Sequence, residues 1–223
     1  PAAVEQFEEV VRFAPASGLD ETAAKAHYSL GVVMASRGHD PEAIDHLSAA
    51  VRYSPTYAEA LQALGDALRR AGRNAEALTH YAAVVRIAPQ SADARFGYAM
   101  ALVRLRRYGE AQGSLADGMR LHPQRQHFTH AMARLLAAAP DDNVRDGHEA
   151  MALVDRLLSG EKTVALGETT AMALAENGRF DAAADVQRQV IKAAQEAGLA
   201  IDLERMTANL RLYDRGVPCP VPW

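Results

Sequence analysis

The feature that most constrains the fold is a period of 34 residues that runs through the middle of the chain. Gly31 and Gly65 are separated by this step, and so are Pro55, Pro89 and Pro123. The same step links three further sets: Ala43, Ala77 and Ala111; Leu47, Tyr81 and Leu115; Leu30, Leu64 and Tyr98. A period that keeps its phase over three consecutive units predicts a solenoid of stacked repeats.

Residues 58–91 show the pattern of one unit most clearly. Leu61, Leu64 and Leu68 are three or four positions apart, as on one face of a helix, and a second apolar face follows around Tyr81. Thr56 is predicted to cap the first helix, which ends at Gly72. Asn74 is predicted to cap the second helix, which ends before Pro89. Neither short helix can bury its apolar face alone, so each unit requires its neighbours.

This pattern resembles the tetratricopeptide repeat (TPR) family, whose helix–turn–helix units are 34 residues long. Residues 24–57 and 58–91 match closely the family pattern of large, Leu, Gly, large, Ala, aromatic, Ala and Pro. Residues 92–125 depart from it only in having Ala99 for the Gly and Gly118 for the second Ala. The resemblance implies an all-α fold, a right-handed superhelical α-solenoid of TPR units with a C-terminal capping helix.

We expect one solenoid over residues 1–223. Its predicted parts are an orphan second helix of an upstream repeat at 2–15, regular repeats at 24–57, 58–91 and 92–125, an irregular repeat with a lengthened turn at 126–162, a degenerate repeat at 163–197, a capping helix at 199–213 and a Pro-rich tail at 214–223. The orphan helix suggests a fragment of a longer protein, with a lone N-terminal capping helix as the alternative. The tail cannot be helical; it either lies extended on the last helices or begins a linker.

Composition narrows the function classes. The net charge is -4 and the sequence pI is about 6.1, which argues against a general nucleic-acid binder. No apolar run reaches the roughly 18 residues of a membrane span, so no membrane insertion by this segment is predicted. The lone Cys219 excludes an internal disulfide.

Candidate binding residues follow from the TPR resemblance, because the first helices of that family line a concave groove. The predicted groove residues are Tyr28, Gln62, Asp66, Arg69, Phe96, Met100, Arg104, His127, His130 and Arg134. Tyr28, Phe96 and Met100 are candidate anchors for a protein or peptide partner, since such side chains give large contact areas. The alternative is that they pack against neighbouring first helices. The Lys, Asn and Arg clamp with which some TPR proteins hold a terminal carboxylate has no counterpart at these positions.

No catalytic residue, cofactor or metal site is predicted. His127 and His130 have the i, i+3 spacing of metal ligands, but a third local ligand is missing, so we favour a polar groove lining. Residues 141–147 include three aspartates, but Ala152 stands at the twelfth position, where a calcium-binding loop has Glu. We therefore predict a capped turn in this segment. Cys219 is expected to be an inert thiol. Since no nucleophile elbow, phosphate loop or paired catalytic carboxylates occur, the sequence predicts a protein that is not an enzyme.

A second resemblance rests on the irregular loop at 139–147 and on the end of the chain, Arg211-Leu-Tyr-Asp-Arg-Gly followed by Pro-Cys-x-x-Pro-Trp. These segments resemble the C-terminal TPR arrays of large bacterial multidomain proteins, many of which are exported or membrane-anchored. The resemblance implies an extracytoplasmic, periplasmic location, and a cytoplasmic one stays open.

The sequence therefore predicts a non-catalytic scaffold that binds a peptide, helix or partner domain in the concave groove. One alternative is a self-association module that pairs through residues 2–14 or through the tail. Another is a regulatory domain of an enzyme or cytochrome encoded upstream in the same chain. The residues do not decide between these three functions.

Overall fold

The computed structural model describes residue 9 and residues 20–160, 163–199 and 203–223. Across these ranges the regular structure is entirely helical, which confirms the predicted all-α class. The helices are α1 (Asp20–Ser36), α2 (Asp40–Tyr53), α3 (Ala58–Arg70), α4 (Asn74–Ile87), α5 (Ala92–Arg104), α6 (Tyr108–Leu121), α7 (Gln126–Ala138), α8 (Gly147–Leu157), α9 (Val164–Glu176), α10 (Phe180–Glu196) and α11 (Leu203–Tyr213). The predicted orphan helix at 2–15 lies outside the described residues, apart from residue 9.

The chain divides into two compact units, Pro1–Arg107 (unit 1) and Tyr108–Trp223 (unit 2). In unit 1 each helix from α1 to α5 packs against the next. The first helices of successive repeats, α1, α3 and α5, also contact one another in order, while α2 and α4 are the second helices. The core of unit 1 is built from small and branched residues of these helices, together with one tyrosine: Ala43, Ile44, Leu47, Leu64, Ala67, Leu68, Ala77, Tyr81 and Ala101.

Tyr81 on α4 sets the spacing of the helices around it, because its ring is wedged between two glycines. A Cβ atom added at Gly65 on α3 would lie 2.9 Å from the Tyr81 ring, and one added at Gly97 on α5 would lie 2.5 Å from it. Both distances are far below an ordinary carbon–carbon contact. The glycines are therefore required by the close approach of α3 and α5 to a fully buried aromatic ring.

Tight turns join the two helices of each of the three regular repeats and recur with the 34-residue period. Gly38 and Gly72 have φ of 78° and 76°, and Arg106 occupies the third such position with φ of 59°. The break predicted at Gly72 is thus confirmed. The predicted caps Thr56 and Asn74 are wrong, because Tyr57 and Arg73 are the N-cap residues and neither makes a side-chain cap. The Asn74 side chain instead donates to the carbonyl oxygen of Gly72, at 3.1 Å.

Unit 2 continues the alternation, with α6 to α11 each packed against the next helix and α7 also against α9. Met206 of α11 packs against Val190 and Ala194 of α10, so α11 covers the apolar face of the last helix pair, as the sequence predicted for its capping helix. Gln187, which stands where the family has an aromatic residue, is fully buried and donates to the Met206 carbonyl oxygen at 3.0 Å.

The lengthened turn of the irregular repeat is a network of caps and ion pairs. Asp141 Oδ1 accepts from the backbone N–H of Asn143 at 3.0 Å. Asp146 caps α8 by accepting from the backbone N–H of Glu149 at 2.9 Å. Arg145 pairs with Glu176 of α9 at 2.7 Å. The acidic residues of this loop therefore serve as hydrogen-bond acceptors within the protein, in line with the predicted capped turn.

Candidate functional site

The first helices of unit 1 present two rows of equivalent, partly exposed side chains, which we call the unit 1 face. Each row advances by one repeat, from α1 to α3 to α5. The rows are Tyr28, Gln62 and Phe96, and Val32, Asp66 and Met100. Val32 is 40% exposed, a large value for a branched apolar side chain. The face is therefore apolar at α1 and α5 and polar at α3.

The Tyr28 side chain packs partly against the core and is partly exposed to solvent. Its ring lies 5.2 Å, between centroids, from the ring of Tyr57, and it packs against the main core cluster of unit 1. The residue is nevertheless only half-buried, as are Phe96 and Met100 on α5. Packing inside the protein thus uses part of the Tyr28 side chain and leaves the remainder at the surface.

Asp66 and Arg69 on α3 are held in place from below by Tyr81. The Tyr81 hydroxyl donates to Asp66 Oδ1 at 2.6 Å, and Arg69 Nε donates to the same hydroxyl oxygen at 3.4 Å. Burial, and then the neighbouring Asp66 carboxylate, raise the pKa of Tyr81, so the hydroxyl stays protonated as a donor. Arg69 Nη2 also lies 4.0 Å from Asp66 Oδ1. The centre of the unit 1 face is therefore an ion pair of Asp66 and Arg69, and the Tyr81 hydroxyl contacts both side chains.

Two further predicted groove residues lie on α3 and α5. Gln62 Oε1 accepts from Ser91 Oγ at 3.3 Å, which ties the start of α5 to α3. Arg104 lies exposed at the end of α5.

In unit 2 the predicted histidines lie on α7 beside α9. His130 Nε2 is 2.9 Å from Thr169 Oγ1 and 3.3 Å from the carbonyl oxygen of Ala165. Burial, followed by the charge of Arg134, lowers the pKa of His130, so the imidazole is neutral at pH 7. His127 and His130 line a cavity of about 170 Å³. Among the described residues, no group of three or more His, Cys, Asp or Glu side chains is arranged to hold a metal ion.

Arg134 is placed differently from the open groove residue that the sequence suggested. It is 6% exposed and pairs with Glu168 of α9, Nη2 to Oε2, at 2.9 Å. Its Nε donates to the carbonyl oxygen of Pro222, and its guanidinium lies 5.9 Å from the centre of the Trp223 ring. The tail thus lies on Arg134 of α7, and Cys219 of the tail contacts Asn209 of α11, the last helix.

Sequence reasoning did not find this cluster, which also includes Arg205 of α11, paired with the second oxygen of Glu168. Glu168 and Arg205 lie in the degenerate repeat and the capping helix, where the TPR pattern no longer gives the register. One signal was available: a charged residue, Glu168, stands in the middle of a helix that is rich in apolar residues. A buried carboxylate requires a cationic partner, which is what the structure supplies.

Comparison with known proteins agrees with this architecture. Residues 68–135 match the family model of the tetratricopeptide repeat, and residues 2–91 match that of the bacterial transcriptional activator domain. A thermophilic TPR protein of Thermus thermophilus is 22% identical, with a TM-score of 0.64 over 85% of this chain and 99% of that chain. A tetratricopeptide repeat protein of Parabacteroides merdae is 18% identical, with a TM-score of 0.70 over 86% of this chain and 74% of that one.

A third similar structure is YrrB, described as a TPR protein with an unusual peptide-binding site. It is 14% identical, with a TM-score of 0.66 over 91% of this chain and 99% of that chain. No curated protein matches the chain.

The helices and their 34-residue repeat define an α-solenoid of helix pairs. Residues 68–135 carry the tetratricopeptide repeat, and the described helices have the fold of solved TPR structures. TPR folds in general serve as protein–protein interaction scaffolds, and TPR scaffolds are generally non-enzymatic. No helix in the described ranges is both long and apolar enough to cross a membrane.

Proposed function

We propose that the chain is a non-catalytic scaffold that binds a segment of a protein partner on the unit 1 face. The observation that carries the proposal is the pair of rows on α1, α3 and α5, where large apolar side chains stay partly exposed although neighbouring residues of the same helices are fully buried. Aromatic residues, Met and Arg are enriched in protein–protein interfaces, and Tyr28, Phe96, Met100 and Arg69 are of these types.

The layout of the face supports an extended partner segment with two apolar anchors. Apolar residues Tyr28 and Val32 lie at one side, Phe96 and Met100 lie at the other, and the Asp66–Arg69 pair lies between them. Neighbouring helix axes are about 10 Å apart, so α1 and α5 are separated by about 20 Å. An extended chain advances about 3.3 Å per residue, so its two apolar anchors would be about six residues apart.

The central pair favours a partner with polar groups between its anchors. Tyr81 fixes Asp66 and Arg69 before any partner arrives, so little side-chain entropy is lost on binding. The Asp66 carboxylate can accept hydrogen bonds from the partner's middle residues, and the Arg69 guanidinium can donate them. Arg104 is proposed as a further contact at the end of α5, and His127 and His130 as candidate contacts of unit 2 by itself.

A displayed library of random twelve-residue peptides tests the proposal. Peptides selected on the wild-type chain should contain two large apolar residues about six positions apart. Substituting Tyr28→Ala or Phe96→Ala should weaken their binding by about 5- to 30-fold, because interface anchors contribute about 1–2 kcal/mol each. Ile87→Ala, which removes a side chain 39% exposed at the end of the second helix α4, is the matched control and should leave the affinity unchanged.

Selection that enriches no sequence pattern would contradict the proposal. Equal losses of affinity in Ile87→Ala and Phe96→Ala would contradict it as well, because they would place the binding surface elsewhere.

A further inference from the structure

A buried ionic cluster lies in unit 2 and joins three helices. Its centre is Glu168 on α9, which is 1% exposed and carries one guanidinium on each oxygen, Arg134 of α7 on one and Arg205 of α11 on the other. Two cations against one anion leave these three residues with an excess positive charge. Such a cluster is costly to bury unless its remaining hydrogen-bonding groups also find partners.

The tail supplies one of those partners by lying across the cluster. Pro222 accepts a hydrogen bond from Arg134 through its backbone carbonyl, and Trp223 lies against the Arg134 guanidinium. Cys219 is 4% exposed, with its thiol 3.3 Å from Asn209 Oδ1 of α11. The contacts are therefore those of a bound extended peptide: a backbone carbonyl, an aromatic ring over a cation, and one small buried side chain.

The fit of the tail is incomplete. Beneath it, the Tyr213 hydroxyl and the Asn209 Nδ2 are buried with no hydrogen-bond partner among the described residues. Val217 and Val221 of the tail remain exposed, Val221 to 47%. Buried donors without acceptors each reduce the stability of the docked state. Three prolines between positions 218 and 222 keep the segment extended even when it is free, so little entropy opposes its rebinding.

We propose that the tail is a displaceable internal ligand of unit 2. The surface that it covers is a binding site for an extended, proline-rich segment of a partner that presents an aromatic residue to Arg134 and a hydrogen-bond acceptor to Tyr213 and Asn209. The tail thereby keeps the site closed until such a segment competes for it. This inference concerns unit 2 alone and does not depend on the function proposed for unit 1.

The chain carries its own reporters for this equilibrium, because its one cysteine and its one tryptophan both lie in the tail. The rate at which a thiol reagent labels Cys219 in the full chain measures how often the tail leaves its site. The competitor is the blocked peptide Val-Pro-Ser-Pro-Val-Pro-Trp, which copies residues 217–223 with serine in place of the cysteine. A peptide of the same composition in scrambled order is the control.

We expect slow labelling of the wild-type chain and an increase of about tenfold or more that saturates with the competitor but not with the scrambled peptide. Trp223→Ala should raise the labelling rate without competitor, whereas Val221→Ala, in an exposed side chain of the same tail, should not. Trp223→Ala also removes the chain's tryptophan, so the fluorescence of the peptide's own tryptophan then reports binding directly. A saturable blue shift of that emission is the expected result.

Several outcomes would overturn the proposal. A labelling rate that neither peptide changes, together with no shift of peptide fluorescence, would make the tail a permanent part of the core. If the two peptides raised the labelling rate of Cys219 equally, the site would not recognise the sequence of the tail. A labelling rate that falls as protein concentration rises would mean that the tail docks on a second copy of the chain. The wild-type arm needs no substitution, so a variant that fails to fold leaves the test intact.

Discussion

The substitution Gly97→Ala tests the packing that positions the unit 1 face. The added Cβ would lie 2.5 Å from both Cε1 and Cζ of Tyr81 and 3.0 Å from Cδ1, whereas carbon atoms in contact are about 3.5–4.0 Å apart. The ring has no free direction, because it is fully buried, Gly65 bounds it on α3, and its hydroxyl is bonded to Asp66. Relief therefore requires α5 to move by about 1 Å relative to α4.

Overpacking of this kind costs about 1–3 kcal/mol, and it is partly offset because alanine favours a helix over glycine by about 1 kcal/mol. Gly113→Ala is the matched control, since Gly113 lies inside α6 with nothing within 4 Å of the added Cβ. Gly113→Ala therefore gains helix propensity without any cost of overpacking. The two variants should therefore differ by about 1–3 kcal/mol in free energy of unfolding, with Gly97→Ala the less stable.

Urea denaturation followed by far-ultraviolet circular dichroism measures this difference. A Tyr81→Leu background supplies a second control, because a smaller side chain at position 81 should reduce the cost of Gly97→Ala. If Gly97→Ala stabilised the chain as much as Gly113→Ala does, the wedged ring would not set the position of α5, and the reasoning would be refuted.

Three further predictions follow from single residues. Arg106→Gly should raise the free energy of unfolding by up to about 1 kcal/mol in urea denaturation, because a left-handed backbone suits glycine; a clear loss of stability would contradict this. Burial lowers the pKa of His130, so the unfolded chain binds the proton more readily than the folded chain does. The contribution of His130 to the free energy of unfolding should therefore fall as the pH drops below about 6.5 and stay constant above it. His130→Gln should lessen this fall, and an unchanged dependence of stability on pH would exclude His130 as its source. Tyr81→Phe should reduce stability by about 1 kcal/mol and weaken the binding of the selected peptides, since Asp66 and Arg69 lose their common partner; unchanged affinity would mean that the pair is not used.

The repeats that keep the 34-residue period were predictable to within a few residues. Gly72 marked a helix end, Pro89 followed the end of α4, and Tyr81 was placed on the inner face of its helix. These features depend on contacts within one repeat or between adjacent repeats, which a periodic pattern records directly. The predicted Thr56 and Asn74 caps failed because the turn itself, through backbone hydrogen bonds such as Arg73 N–H to Leu68 O at 2.8 Å, fixes where the next helix begins.

The cluster around Glu168 could not be predicted in this way. The hydrogen bond from Arg134 to Pro222 joins residues 88 positions apart, and no period relates the tail to the helix that it covers. The same holds for Gln187, whose partner is a backbone carbonyl of α11 rather than a neighbouring repeat. Where the repeat pattern is lost, the hydrogen-bond partner of each buried polar group differs from one group to the next. The sequence pattern does not give these partners, and the structure does.

The central claim, that a partner binds along α1, α3 and α5, is tested most directly by photo-crosslinking. A peptide selected from the library would carry a benzophenone between its two apolar anchors, and mass spectrometry would locate the residues to which it couples. The account predicts crosslinks on the unit 1 face near Gln62, Asp66 and Arg69, and their loss in Phe96→Ala but not in Ile87→Ala. Crosslinks confined to the second helices α2 and α4, and unaffected by Phe96→Ala, would contradict it.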